Sequence, residues 1–172
     1  MDDTEDAVVA VVARLCRTVL ALAAVVAATG GLVAPFVSGA LSEKGDPVAL
    51  GLLEWSALEY DPVSTGARLW GIVVTSLCWL SLAVAAVAVV RWFRVLPRVT
   101  SVVGAVVTAA HLLCAVLSFM VGGQVVDRAG DDWQYQWGWW VPVLAGVLSG
   151  LTIWFDDSLR HAGWRDLTLP RH

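Results

Sequence analysis

The chain has 172 residues, of which 58% are hydrophobic and only 15% charged, with a mean hydropathy of +0.73 and a formal charge of −4. Soluble domains carry about 25% charged residues, so this composition excludes an ordinary water-soluble enzyme or binding module. The small negative charge likewise gives no footing for nucleic acid.

Four apolar stretches account for the hydropathy: residues 15–37, 69–90, 99–123 and 138–155. At 1.5 Å per residue, segments of about 18–25 residues can cross a hydrocarbon core of about 30 Å. The expected fold is all-α: one domain over residues 1–172, an antiparallel four-helix transmembrane bundle with a short amphipathic helix in its first outer loop. The N-terminus is acidic (Asp2, Asp3, Glu5, Asp6) and the first apolar run exceeds a signal-peptide core, so this run is expected to remain as an anchor. Cleavage near residues 38–40 is the alternative.

Arg14 and Arg17 lie three residues apart on one face of the first apolar helix. Either both reach lipid phosphates of the inner leaflet, or they form a buried pair facing an acid. No acid lies deep in any span of this chain, so the second reading needs an acid from another protein. Farther along, Ala23, Ala27 and Gly31 repeat every four residues, the spacing that lets helices approach closely.

In the first loop, Asp46-Pro47 reads as a helix start, with Asp at the N-cap and Pro at the first helical position. The helix is expected to reach about Tyr60, with Val48, Leu52 and Trp55 on one stripe and Glu54 and Glu59 off it. Between the second and third spans, Arg91, Arg94 and Arg98 flank a tight turn beside Trp92 and Phe93, a pattern expected at lipid phosphates. With both termini inside, Arg14, Arg17, Arg91, Arg94, Arg98, Arg160, Arg165 and Arg171 are cytoplasmic, against Lys44, Arg68 and Arg128 outside. Eight against three satisfies the positive-inside rule.

His111 is the one histidine within a span. Bis-histidine heme ligation needs a second at matched depth, which excludes a b-type cytochrome. His111 is expected either to bond a helix backbone or Thr75, Ser76 or Ser118, or to handle a proton or ligand. Transporters usually show several such groups and broken helices. Here the spans are continuous, Pro142 falls in the first turn of the fourth, and no buried polar pathway is expected. The fourth span carries Gly146 and Gly150 as a GxxxG pair, expected at the tightest helix contact.

The second outer loop runs from Asp127 through Asp131 and Asp132 to Trp133, Tyr135, Trp137, Trp139 and Trp140. Trp and Tyr favour the membrane–water boundary, so an aromatic belt is one reading. A recognition surface, in which these rings and acids clamp a cationic or sugar-bearing ligand or a partner loop, is the other. The acids lack the alternate spacing of a calcium loop. Asp156-Asp157 reads as a solvated helix end, and Cys16, Cys78 and Cys114 read as packing residues. No catalytic constellation, cofactor motif or metal cluster is apparent.

One lysine against ten arginines, no asparagine and two isoleucines form the pattern of GC-rich coding and point to a bacterium such as an actinobacterium. The order of elements resembles the claudin-like tetraspan arrangement. Gly51-Leu-Leu-Glu-Trp55 departs from the claudin W…GLW…C…C pattern, and the two loop cysteines are missing. Gly138-Trp-Trp-Val-Pro-Val-Leu-Ala-Gly146 is similar to the start of the last helix in small actinobacterial four-span proteins. These features predict a bacterial plasma-membrane protein, non-enzymatic, in contact with the bilayer and with a membrane partner or a second copy. A small-molecule or lipid site between the helices near His111 is the competing expectation.

Overall fold

The computed structural model describes residues 3–40, 46–58, 65–93, 97–129 and 133–161. In chain order the elements are α1 (Asp3–Val33), β1 (Val37–Ala40), β2 (Pro47–Leu50), α2 (Leu52–Ala57), α3 (Thr65–Phe93), α4 (Pro97–Ala129), β3 (Gln134–Tyr135), a 3-10 turn (Trp137–Trp139) and α5 (Trp140–His161). Four stretches of these helices are long and apolar enough to span a membrane: Ala7–Val33, Thr65–Phe93, Val99–Asp127 and Trp137–Leu159. The chain is thus an integral membrane protein with four candidate spans packed as a bundle. α1 and α4 each pack against both α3 and α5, and α3 and α5 also touch across the bundle.

α4 shows how such a bundle is assembled in lipid. Its buried positions are Gly104, Thr108, His111, Ala115, Ser118 and Gly122, spaced 4, 3, 4, 3 and 4. That is one helical face, and every residue on it is small or polar. Val102, Val106, Leu113, Val116 and Met120 point outward. Lipid removes any hydrophobic drive between helices, so close approach and hydrogen bonds hold the seam instead.

Gly146 sits on this seam. A Cβ there would lie 2.6 Å from Leu112 and 3.1 Å from the His111 ring, and one at Gly150 would lie 3.5 Å from Thr108. The GxxxG pair therefore marks an internal contact of α5 with α4. On α1, Ala27 and Gly31 are buried, with a Cβ on Gly31 3.3 Å from Pro142, whereas Ala23 is half-buried. The deeper alanines of α1 are Ala21, Ala24 and Ala28.

The first loop differs from the sequence expectation. Residues Pro47–Leu50 form a strand, and helix begins only at Leu52. β1 pairs antiparallel with β2 (Val37↔Leu50 to Ala40↔Pro47) and with β3 (Val37↔Tyr135, Ser38↔Gln134), giving a three-stranded sheet in the order β2-β1-β3. Pro47 is compatible with either role, since the first residue of an edge strand, like the first of a helix, has no obligatory N–H bond. Glu54 instead caps the shorter helix by accepting the Gly51 N–H at 2.8 Å. Tyr60, the expected helix end, lies outside the described residues.

Candidate functional site

Three places in the bundle carry polar or aromatic chemistry, one at each end and one midway.

At the sheet end, the second-loop aromatics fold onto the first loop. Gln136 donates its backbone N–H to Phe36 O at 3.0 Å, Gly138 does the same to Pro35 O at 2.9 Å, and the Gln136 side-chain amide donates to Ser38 Oγ at 2.6 Å. Gly138 has to be glycine here, because a Cβ would overlap the Pro35 carbonyl. The ring of Trp133 covers Gly39 and meets Trp55 edge-on at 5.1 Å, and Trp55 lies 4.7 Å from Trp70. Trp139 stacks on Phe119 at 4.6 Å and on Trp140 at 3.8 Å.

Tyr135 reaches across to α4. Its hydroxyl donates toward the carbonyls of Ser118 (3.2 Å) and Phe119 (3.0 Å), in the space that Gly122 leaves free. Burial, reinforced by the Asp127 carboxylate, pushes its phenol well above the ordinary range, so it stays a donor. Of the predicted aromatic contacts, Trp133, Tyr135 and Trp139 are half-buried and pack against the core of this end. Trp137 (63% exposed) and Trp140 (59%) present rings outward. Asp131 and Asp132 lie outside the described residues.

Midway, His111 is fully buried and its Nε2 lies 2.7 Å from the Pro142 carbonyl of α5. A carbonyl only accepts, so Nε2 carries the hydrogen and a neutral ring keeps its lone pair on Nδ1. Nδ1, Ser118 Oγ and Trp70 Nε1 are buried with no hydrogen-bond partner among the described residues; the Leu80 carbonyl is near the His111 ring but outside bonding geometry to Nδ1. One turn away, the Thr108 and Ser149 hydroxyls bond at 2.9 Å. A short polar seam thus lies between α4 and α5. It is not a continuous path: the side of Gly104 is filled by Ile153 and Val87, whose carbons lie 3.0 and 3.1 Å from a Cβ placed there.

At the other end, the arginines find an internal acid. Arg91, with a side chain 3% exposed, donates to Asp156 Oδ2 at 2.8 Å and to Ser101 Oγ at 3.0 Å. Ser101 in turn approaches Asp157 Oδ1 at 3.5 Å. Arg17 lies 4.0 Å from Asp156 Oδ1 and donates to the Trp92 carbonyl at 2.8 Å. Arg17 and Arg91 thus pair with an acid of this chain, where the sequence reading of a buried arginine looked for one from another protein, and Asp156 is only 14% exposed. A buried guanidinium in apolar surroundings needs a counter-charge, and α5 places Asp156 between the two. Arg14 is exposed, with an interaction of its own. Arg94 and the Arg98 side chain lie outside the described residues.

Sequence reasoning missed Asp156 because an adjacent acid pair at a helix end looks solvated. Its depth, close to that of Arg91 across the bundle, was the available signal. Among the described residues, no three His, Cys, Asp or Glu side chains gather as a metal ion would require. Neither protein-family models nor curated protein sequences match this chain.

Proposed function

We propose that the protein is a non-enzymatic membrane subunit that works by contact, as an accessory or assembly component in a bacterial plasma membrane with both termini cytoplasmic. One observation carries this reading: the two loops are joined into a single sheet with a filled aromatic core, so one end of the bundle is a preformed platform. Preformed surfaces suit recognition because little ordering cost remains at binding. Trp137 and Trp140 stand out from that platform, and tryptophan is enriched where partners dock. The distribution of arginine and lysine supports the orientation.

The test is native mass spectrometry after gentle extraction from the source organism. A second polypeptide in fixed ratio, lost in Trp137→Ala/Trp140→Ala, is the expected result. A lone chain carrying a reproducible small adduct would overturn it. That outcome would instead favour a small-molecule or lipid site beside His111, for which the unpartnered Nδ1 is the supporting observation. His111→Ala would then abolish the adduct.

A further inference from the structure

Beneath the sheet, three polar side-chain atoms border one face of α4. Trp70 of α3 is 1% exposed and Ser118 is fully buried, yet neither the indole N–H nor the serine hydroxyl has a hydrogen-bond partner among the described residues. The third atom is the Tyr135 hydroxyl oxygen, which gives its one hydrogen toward the carbonyls of Ser118 and Phe119. That oxygen keeps lone pairs with which to accept.

Gly122 brings the three together. A Cβ there would overlap the Tyr135 hydroxyl and lie 2.8 Å from Trp70 Nε1, so the indole nitrogen and the phenol oxygen border the same point of α4. Ser118 stands one turn before Gly122 on the same buried face, and its own carbonyl is 3.2 Å from the Tyr135 oxygen. The core cluster to which Trp70 belongs, including Phe36, Leu52, Val74, Leu77 and Ala115, is otherwise apolar and offers the indole no side-chain acceptor. A buried N–H without an acceptor loses its hydration uncompensated, which is why such groups are almost always bonded to protein or to ordered water.

The chemistry of the three atoms selects the ligand. Trp70 only donates, the Tyr135 oxygen is left to accept, and the Ser118 hydroxyl does either. A lipid chain or other apolar molecule answers none of them. Water is the smallest molecule that answers all three, and about three hydrogen bonds is what a buried water ordinarily makes.

We propose that one ordered water molecule is a fixed part of this end of the bundle, accepting from the Trp70 indole N–H and donating to the Tyr135 and Ser118 oxygens. It ties α3 to α4 and to the second loop at a point where no side-chain bond of Trp70 does so. This goes beyond the contact-subunit reading and does not depend on it.

The test is a crystal structure of the full chain grown from a lipidic mesophase, at a resolution that shows ordered solvent. A single spherical peak within hydrogen-bond distance of Trp70 Nε1 and of both oxygens is expected. Trp70→Phe should lose that peak while Ser118 and Tyr135 stay in place. A dry site, a direct bond from the Trp70 N–H to a protein oxygen, density too large for water, or a peak unmoved by Trp70→Phe would each overturn the proposal. Nuclear magnetic resonance in lipid nanodiscs checks it without a lattice. Of the ten tryptophan indole resonances, the one that Trp70→Phe removes should show a nuclear Overhauser effect to water with the sign of a long-lived bound molecule. The effect should persist in Ser118→Ala, where that hydroxyl cannot relay it. Its absence in the native chain, or its loss in Ser118→Ala, would likewise overturn the proposal. None of these outcomes bears on a fixed-ratio partner polypeptide, which native mass spectrometry decides separately.

Discussion

The two ends of the bundle solve one problem by opposite means. At the sheet end, strands from two loops and the rings of Phe36, Trp55, Trp70 and Tyr135 close the bundle by shape and apolar contact. At the other end, Arg17, Arg91, Ser101 and Asp156 tie α1, α3, α4 and α5 together through charge. Apolar packing tolerates loss of one contact in proportion to the volume lost. A buried ion cluster does not, because removing one partner leaves the other charged and desolvated.

That contrast sets the expected order of damage. Asp156→Asn should be the most harmful single change, costing about 3 kcal/mol because Arg91 is left buried without its counter-charge. Equilibrium unfolding in micelles checks this, and Asp156→Leu combined with Arg91→Met should recover most of the loss. If the double variant is as unstable as the single, charge is not what holds that end. Gly138→Val at the sheet end should cost about 1–3 kcal/mol by forcing the second loop off the Pro35 carbonyl. The damage should be confined to the cap, with Trp92 beside the ion cluster reporting no change.

Smaller effects are expected in between. His111→Ala removes one interhelical hydrogen bond, which in bilayers averages about 0.6 kcal/mol, so the bundle should survive it. A collapse of the fold would mean that the imidazole carries more of the α4–α5 contact than its bond to Pro142 accounts for. Tyr135→Phe should cost about 1 kcal/mol through loss of the bonds to the Ser118 and Phe119 carbonyls. Because the folded phenol is raised above its unfolded value of about 10, its contribution is complete below that pH and fades as pH rises through the folded value. Thermal melting across pH 7 to 11 should show this slope in the native chain and not in Tyr135→Phe.

What could be read ahead of the structure follows from the range of the forces involved. The spans are written locally, since the bilayer demands long runs of apolar residues, and four candidate spans lie on those runs, the third starting at the expected residue and the other ends differing by one to eight residues. Gly146 and Gly150 were likewise visible, because close helix approach leaves a fixed spacing. The sheet was not. β1 and β3 are four and two residues long and lie nearly a hundred positions apart, so their pairing has no local signature. Pro47 suited a helix start and a strand edge equally, and only the partner strand decided between them. Asp156 was hidden for a similar reason: a carboxylate at a helix end is solvated or buried according to what stands across the bundle, and that was Arg91.

The joining of the two loops is the claim on which the platform rests, and a pair of cysteines tests it most directly. Ser38 and Gln134 are register partners in β1 and β3. In membranes, Ser38→Cys with Gln134→Cys should form an intramolecular disulfide readily under mild oxidation, while Ser38→Cys with Val99→Cys, at the opposite end, should not. Failure of the first pair to cross-link in a chain that still inserts and folds would contradict the account, leaving four helices with two independent loops.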